Sequence, residues 1–403
     1  MIRFLTAGES HGKVLTTIIE GFPSNFGIDK KYIDLHLKRR QHGYGRGRRM
    51  NMESDEVEIL SGLRGSKTIG SPISLQIKNK DWVNWLDIMN PEKISPSKIK
   101  VSIPRPGHAD LVGISKYNFD DIRNSIERSS ARETASRVTA GSVARKLLQE
   151  FKIEVGSFVE SIGSIYPTKN YLDILLQNKV KKDFNAWQLA KKADNSRVRV
   201  LEKNQEERIV RKINSTKKKG DTLGGTFVVV ASGIPVGLGS FMHYDKRLGA
   251  SLASAVLSIN AVKGVEIGAG FKQAELFGSA VHDEIVKSGK NFTRKTNHAG
   301  GIEGGVSTGL PIIIRAVMKP ISTLMSPLET IDLSNMKEVL ARRERSDFVA
   351  VPACSVIAES MIAWVIAEHF LVKFGGDSLE ELKDNYNHYV KKLPDRITKN
   401  FKK

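Results

Sequence analysis

Between Cys354 and Val372 the chain runs through its most apolar stretch, and the ionisable interruptions there are Glu359, Glu368 and His369. They leave no run of about 18 apolar residues, so no membrane-spanning helix is expected. Val356, Ile357, Met361, Trp364 and Val365 instead recur at helical spacing, which predicts a helix carrying an apolar stripe. Pro352 suits its first turn, where a missing N–H costs nothing. Cys354 is the only cysteine. One thiol allows neither an intrachain disulfide nor a cysteine-based metal cage, and in this setting it reads as buried and inert.

The rest of the chain alternates strand and helix signals in blocks. Val14–Ile19 is β-branched and apolar, Val57 and Ile59 alternate with acids, and Ile73, Leu75 and Ile77 alternate with polar residues. Arg39 to Arg49, with three glycines, reads as a loop, and Asp87 to Lys100, with two prolines, as an exposed one. Ala135, Val138, Val143, Leu147 and Phe151 predict a long helix, opened by a capping box from Ser130 to Glu133. Lys181 to Lys219 reads as solvated helix and loop. Thr226–Ala231 and Ile312–Ile314 read as buried strands, and Leu248 to Ile259 as a second packed helix. The last twenty or so residues, which are basic, are expected to fray. No repeat, linker or boundary divides the 403 residues, and 40% are hydrophobic, enough for a large core. The expectation is an α+β fold in one large domain spanning 1–403. The N-terminus is too short and wrongly built for a signal peptide, so the expected location is cytoplasmic.

Sixty-three Lys and Arg against forty-four Asp and Glu leave a formal charge of +19, which calls for an anionic partner: nucleic acid, anionic lipid or a phosphorylated metabolite. Five arginines crowd the Arg39–Arg49 segment. A guanidinium fork pairs bidentately with phosphate or carboxylate, although a basic surface loop or an RNA-binding segment has the same composition. Arg128-Ser129-Ser130-Ala131-Arg132 sits at a helix start, where free N–H groups favour an anion; a capped helix with surface arginines fits equally. His11 and His108 lie in glycine-containing turns and are suited to proton exchange near neutral pH. Asp347, behind Arg345 and Ser346, reads locally as an ion pair or a cap. Lys319-Pro320-Ile321-Ser322-Thr323 offers a cation and hydroxyls that suit a phosphate tail or a plain turn. Zinc spacing, a Walker-type loop, a nucleophile elbow and a dinucleotide fingerprint are all missing. A nucleic-acid binder would interleave aromatics with its basic runs; aromatics here are only 7% and are not interleaved in that way.

Taken in order, Gly8-Glu9-Ser10-His11-Gly12, Arg105-Pro106-Gly107-His108-Ala109-Asp110, Arg128 to Thr134, Gly220 to Gly225 and Arg345-Ser346-Asp347 resemble the chorismate synthase family along nearly the whole chain. The resemblance implies a β-α-β sandwich and a homotetramer. It implies a lyase that forms chorismate by trans-1,4-elimination of phosphate from 5-enolpyruvylshikimate 3-phosphate, at the end of the common route to aromatic amino acids. Reduced FMN is required without net redox change, and a separate flavin reductase, drawing on NADPH, would keep it reduced. Neither nucleic acid nor membrane is expected as a partner. By resemblance Arg40, Arg46, Arg49, Arg105, Arg132 and Arg345 contact substrate; nicotinamide phosphate is the family's alternative ligand at Arg40 and Arg46. FMN falls to Arg128, Ser129, Ser130, Asn260, Ala261, Gly304, Lys319 through Thr323 (Pro320, Ile321 and Ser322 between them) and Arg345. Many relatives carry glutamine where this chain has Asn260. His11 is implied as the acid for the departing phosphate, His108 as the group holding or protonating the flavin, and Asp347 as the assisting base. A flavin oxidoreductase with net hydride transfer is the rival within flavin chemistry.

Overall fold

The computed structural model describes residues 2–46, 54–93, 100–178, 184–289, 291–344 and 347–398. Two four-stranded antiparallel sheets enclose a layer of helices. The first takes β1 (Arg3–Ala7), β2 (Val14–Glu20), β3 (Val57–Ile59) and β4 (Ile73–Lys78) in the order β1-β2-β4-β3. Its alternation works as expected: Leu15, Ile19, Val57, Ile73, Leu75 and Ile77 face inward and are buried, while Leu5 and Ile18 pair on the outer face. The second sheet takes β5 (Glu154–Ile162), β6 (Gly225–Ser232), β7 (Val262–Ile267) and β8 (Ile312–Met318) in the order β5-β6-β8-β7. Val228, Val230 and Ile313 on its outer side pack under Leu175, Leu176 and Ala186, so it is covered on both faces and reads as continuous apolar runs.

Among the described residues the longer helices are α1 (Lys30–Gln41), α2 (Asp110–Tyr117), α3 (Ile122–Ser129), α4 (Thr134–Gln149), α5 (Ala186–Asp194), α6 (Lys203–Lys218), α7 (Leu248–Leu257), α8 (Val351–Phe374) and α9 (Leu379–Thr398). Between the sheets α1, α4 and α8 pack together, α4 against β2 and α8 against β5 and β6. Helix α8 is buried without a break from Val351 to Ala367, so the predicted stripe is in fact apolar all round. By length and composition alone it could cross a membrane, but here sheets and helices cover it. Burial pushes the Cys354 thiol up to about 12. Helices α4 and α8 touch backbone to backbone at Gly141, where an added Cβ would lie 2.4 Å from Ser360 Cβ.

The layer also buries charge. Glu359, fully buried in α8, meets Arg39 (Nη1 to Oε2, 2.7 Å), Arg145 (3.0 Å) and Arg199 (3.0 Å), and accepts from Ser157 Oγ at 2.6 Å. Burial would raise its pKa, but those guanidiniums hold it well below the usual carboxylate range. Burial and the neighbouring Arg145 and Arg39 keep His36 neutral, and its Nδ1 accepts from Arg39 Nη1 at 3.2 Å.

Several local expectations change. Arg39, Arg40 and Gln41 close α1 and do not belong to a loop, because Asp29 caps its start and the turn at His42, Gly43 and Gly45 follows only afterwards. After a 3-10 turn at Trp82–Trp85, the short helix Leu86–Met89 runs into the stretch from Asp87 where loop was expected. The capping box does not form: Ser130 Oγ accepts from Arg132 N at 3.3 Å over a 3-10 turn, and Glu133 turns to Thr6 and Arg137. The Lys181–Lys219 stretch is less solvated than its charge suggests, since Ala186, Ala190, Arg199, Ile209 and Ile213 are buried. Helix α9 is continuous to Thr398 where fraying was expected; Tyr386 and Tyr389 pin it to Phe374, 5.3 and 5.5 Å between ring centres.

Candidate active site

The chain leaves edge strand β1 through a turn that only glycine can make, since a Cβ on Gly8 (φ 107°) would lie 2.3 Å from Val14 O. That turn delivers His11 to the end of α3. The backbone N–H of His11 donates to Glu127 Oε2 at 2.8 Å, and its Nδ1 lies 2.9 and 3.0 Å from the two oxygens of that carboxylate. Trp85 stacks on the imidazole at 3.7 Å between centres. Burial would raise Glu127, but the hydrogen bond from His11 holds its carboxyl below the ordinary value. Ser130 Oγ donates to Ser10 Oγ at 3.0 Å, which ties the His11 turn to the arginine-bearing start of α4.

From there the arginines gather. Arg40, at the end of α1, donates to Asp55 Oδ2 at 2.8 Å, and Arg132 pairs with the other oxygen. Arg46 pairs with Asp347 at 3.1 Å. Burial lowers the Arg40 guanidinium, Asp55 opposes that, and the neighbouring Arg132 and Arg46 lower it further. The three cations therefore crowd one another with two carboxylates between them. The buried Nε atoms of Arg40 and Arg46 have no hydrogen-bond partner among the described residues, which leaves donor capacity for an anion.

His108 has its own buried acid. Its Nδ1 lies 2.5 Å from Asp110 Oδ1, and Arg105 grips the same carboxylate with Nε to Oδ2 at 2.9 Å and Nη2 to Oδ1 at 3.0 Å. Burial would raise Asp110; His108 and Arg105 hold it well below the usual range. The remaining Arg105 amino group reaches Thr323 Oγ1 at 3.1 Å and Glu344 at 3.0 Å, so in this geometry the guanidinium builds the turn.

The residues assigned to flavin are linked to one another and to this turn. Asn260 Nδ2 donates to Ser129 O at 3.0 Å, Lys319 N to Ala261 O at 2.9 Å, and Lys319 Nζ to Gly107 O at 2.6 Å. Burial, with Lys263 nearby, lowers the Lys319 ammonium. A cleft of about 510 Å³ opens beside Arg128 and Asn260, lined also by Phe4, Leu5, Thr6, Glu133, Arg137, Ser258 and Met361, with Glu133 paired to Arg137. Its mix of apolar and cationic groups suits a flat ring with an anionic tail. Gly304 stands apart in a hairpin turn beside Phe241, and no described hydrogen bond ties it to the group. Arg49 and Arg345 lie outside the described residues. Among the described residues, no group of three or more His, Cys, Asp or Glu could hold a metal ion.

The sequence reading missed Asp55, Glu127 and the specific duty of Asp110. Asp110 had a signal, an acid two residues after a turn histidine. Asp55 and Glu127 had none, because their partners come from distant segments.

Guanidiniums gathered from separate elements, and two imidazoles each backed by a buried carboxylate, are the side chains that an enzyme acting on polyanionic small molecules would need. The family model for chorismate synthase matches residues 2–371. Chorismate synthase of Alkaliphilus metalliredigens (strain QYMF) is 52% identical over 394 residues, covering 97% of this chain and 100% of that protein. That of Aquifex aeolicus (strain VF5) is 49% identical over 391 residues, covering 96% and 97%. A crystal structure of chorismate synthase superposes with a TM-score of 0.78 at 41% identity, covering 98% of both chains. The chain belongs to the chorismate synthase family and is a lyase with that family's α+β fold.

Proposed function

We propose that the arginine cluster and the two histidines divide the work of the family reaction, trans-1,4-elimination of phosphate from 5-enolpyruvylshikimate 3-phosphate to give chorismate. The observation that carries this reading is the crowding of Arg40, Arg46 and Arg132 about Asp55 and Asp347 among the described residues, in a chain that also carries two carboxylate-backed imidazoles. A substrate with one phosphate and two carboxylates relieves that crowding, and fixed donors aimed at developing charge cost no reorganisation during the reaction. Arg49 and Arg345 join this set on family resemblance, and Arg105 serves it by shaping the His108 turn.

Arg128, Ser129, Ser130, Asn260, Ala261 and Lys319 through Thr323 would hold FMN, with Gly304 and Arg345 added by resemblance. Reduced FMN, when bound, supplies the electron density that loosens the C3–O bond, with no net redox change. His11 donates a proton to the leaving phosphate oxygen, a general-acid task suited to imidazolium. His108 holds a proton at the flavin side of the site, and Asp347, positioned by Arg46, assists removal of the C6 hydrogen. The whole chain acts as one unit, as a homotetramer in the cytoplasm, with flavin kept reduced by a separate NADPH-dependent reductase. Nucleic acid and membrane are not partners in this reading.

Anaerobic incubation of the protein with reduced FMN and 5-enolpyruvylshikimate 3-phosphate tests it. Chorismate and inorganic phosphate should rise in equal amounts; phosphate without chorismate, or neither product, would refute the assignment.

A further inference from the structure

We infer that Glu127 is a positioning residue for His11, fixing the imidazole in the tautomer and orientation from which Nε2 hands its proton to the departing phosphate. The inference rests on the acid role given to His11 above. An ionised carboxylate only accepts hydrogen bonds, so with both oxygens of Glu127 within 3.0 Å of Nδ1, that nitrogen must be the donor. The acid role given to His11 then falls to Nε2. The carboxylate is 2% exposed, so the arrangement is shielded from competing water.

The surroundings fix the same geometry from three sides. The Glu127 carboxylate also accepts the His11 backbone N–H at 2.8 Å, which sets the base of the side chain. Trp85 covers one ring face at 27° to the imidazole, and Asp81 holds Trp85 Nε1 at 3.0 Å. Arg123, one turn back on α3, approaches Glu127 only to 3.5 Å and lies 5.4 Å over the Trp85 ring. The charge of Glu127 is therefore directed mainly at His11.

Asp110 offers the contrast. It meets His108 Nδ1 through one oxygen, and Arg105 grips both of its oxygens and offsets its charge. Glu127 instead turns both oxygens to His11, and Arg123 approaches it only to 3.5 Å.

The proton count is simple. His11 enters as imidazolium, Nε2–H passes to the phosphate oxygen as the C3–O bond breaks, and the ring is left neutral with Nδ1–H. Glu127 stays ionised throughout. In the protease triad, amidating such a carboxylate leaves the geometry intact, favours the wrong tautomer and costs about 10⁴ in kcat.

The test compares Glu127→Gln, Glu127→Asp, His11→Ala and His11→Ala/Glu127→Gln by steady-state kinetics, with ¹⁵N NMR of the His11 ring in the wild type and in Glu127→Gln. Glu127→Gln should lower kcat by roughly 10²–10⁴-fold with KM for substrate within about threefold, as expected for loss of a proton-transfer contribution. Glu127→Asp, which keeps the charge, should recover part of the rate. In the His11→Ala background Glu127→Gln should have no further effect. The wild-type neutral ring should carry its proton on Nδ1, and Glu127→Gln should move population to Nε2.

Near-wild-type kcat in Glu127→Gln, an undiminished loss in the His11→Ala background, or an Nε2–H ring in the wild type would each overturn the inference. Wild-type turnover in His11→Ala would instead remove the acid role of His11, and the NMR arm would still decide whether Glu127 sets the tautomer.

Discussion

Arg46 shows at the scale of one residue how the site handles charge. It meets Asp347 at 3.1 Å and still has a buried Nε without a partner among the described residues. Lysine would keep the charge and lose the fork, so Arg46→Lys should raise KM for substrate about tenfold, the loss of one charge-assisted hydrogen bond of roughly 1.5 kcal/mol. Steady-state kinetics with saturating reduced flavin would check this, and an unaltered KM would place Arg46 outside the substrate site. Much of this scale was legible in advance. His11 and His108 announced themselves because glycines flank them in turns, and the arginines because they cluster. Their acidic partners did not. Asp55 serves Arg132, 77 residues away, and Glu127 serves His11 across 116 residues. Pairings over such separations leave no local pattern to read.

Helices α4 and α8 carry the argument at the scale of elements. Their apolar residues predicted both, and Pro352 marked the start of α8 correctly. Less legible was how closely the two approach, since Gly141 inside a helical pattern reads only as a weak helix former. In the structure a Cβ there would lie 2.5 Å from Ser360 O as well as striking its side chain, so the glycine permits the contact. Gly141→Ala gains helix propensity yet should destabilise the protein by about 1–3 kcal/mol through overpacking, seen as a lower denaturant midpoint with unchanged slope. A higher midpoint would mean that the helices can part without cost. The failed capping box has a similar origin. Ser130 and Glu133 stood at the right spacing, but Thr6 and Arg137 compete successfully for the Glu133 carboxylate. Fraying of the C-terminal helix was inferred from charge alone, without the aromatic contacts that Tyr386 and Tyr389 make.

Across the whole molecule, one carboxylate bonds the layers. Glu359 on α8 joins Arg39 of α1, Arg145 of α4 and Arg199 before α6, and only its position inside an apolar run hinted at that role. Removing it takes the paired carboxylate from buried Arg145 and leaves Arg39 and Arg199 to share Asp194, so Glu359→Ala should cost about 3–5 kcal/mol, measurable by thermal or urea unfolding. The folded carboxyls of Glu359, Asp110, Glu127 and Asp55 titrate below their unfolded values. Their contribution is complete above the ordinary carboxylate range and is lost as the pH falls through the folded values. These carboxyls should therefore leave stability unchanged above their ordinary range and lower it in acid, adding to an earlier loss as the pH falls through the ordinary histidine range, where unfolded His36 takes up a proton that the folded chain refuses; the acid fall should be shallower in Glu359→Ala, and an equally steep one would remove Glu359 from the acid transition. The same charged scaffold sets Arg40, next to Arg39, in the site, so the fold and the chemistry share one electrostatic framework. The chemistry proposed for it is an elimination that would leave its flavin as it found it, unlike a hydride transfer. The phosphate released per reduced FMN, counted without oxygen or added reductant, separates the two. The lyase account predicts many phosphates per flavin with the flavin still reduced at the end, whereas one phosphate per flavin oxidised would contradict it.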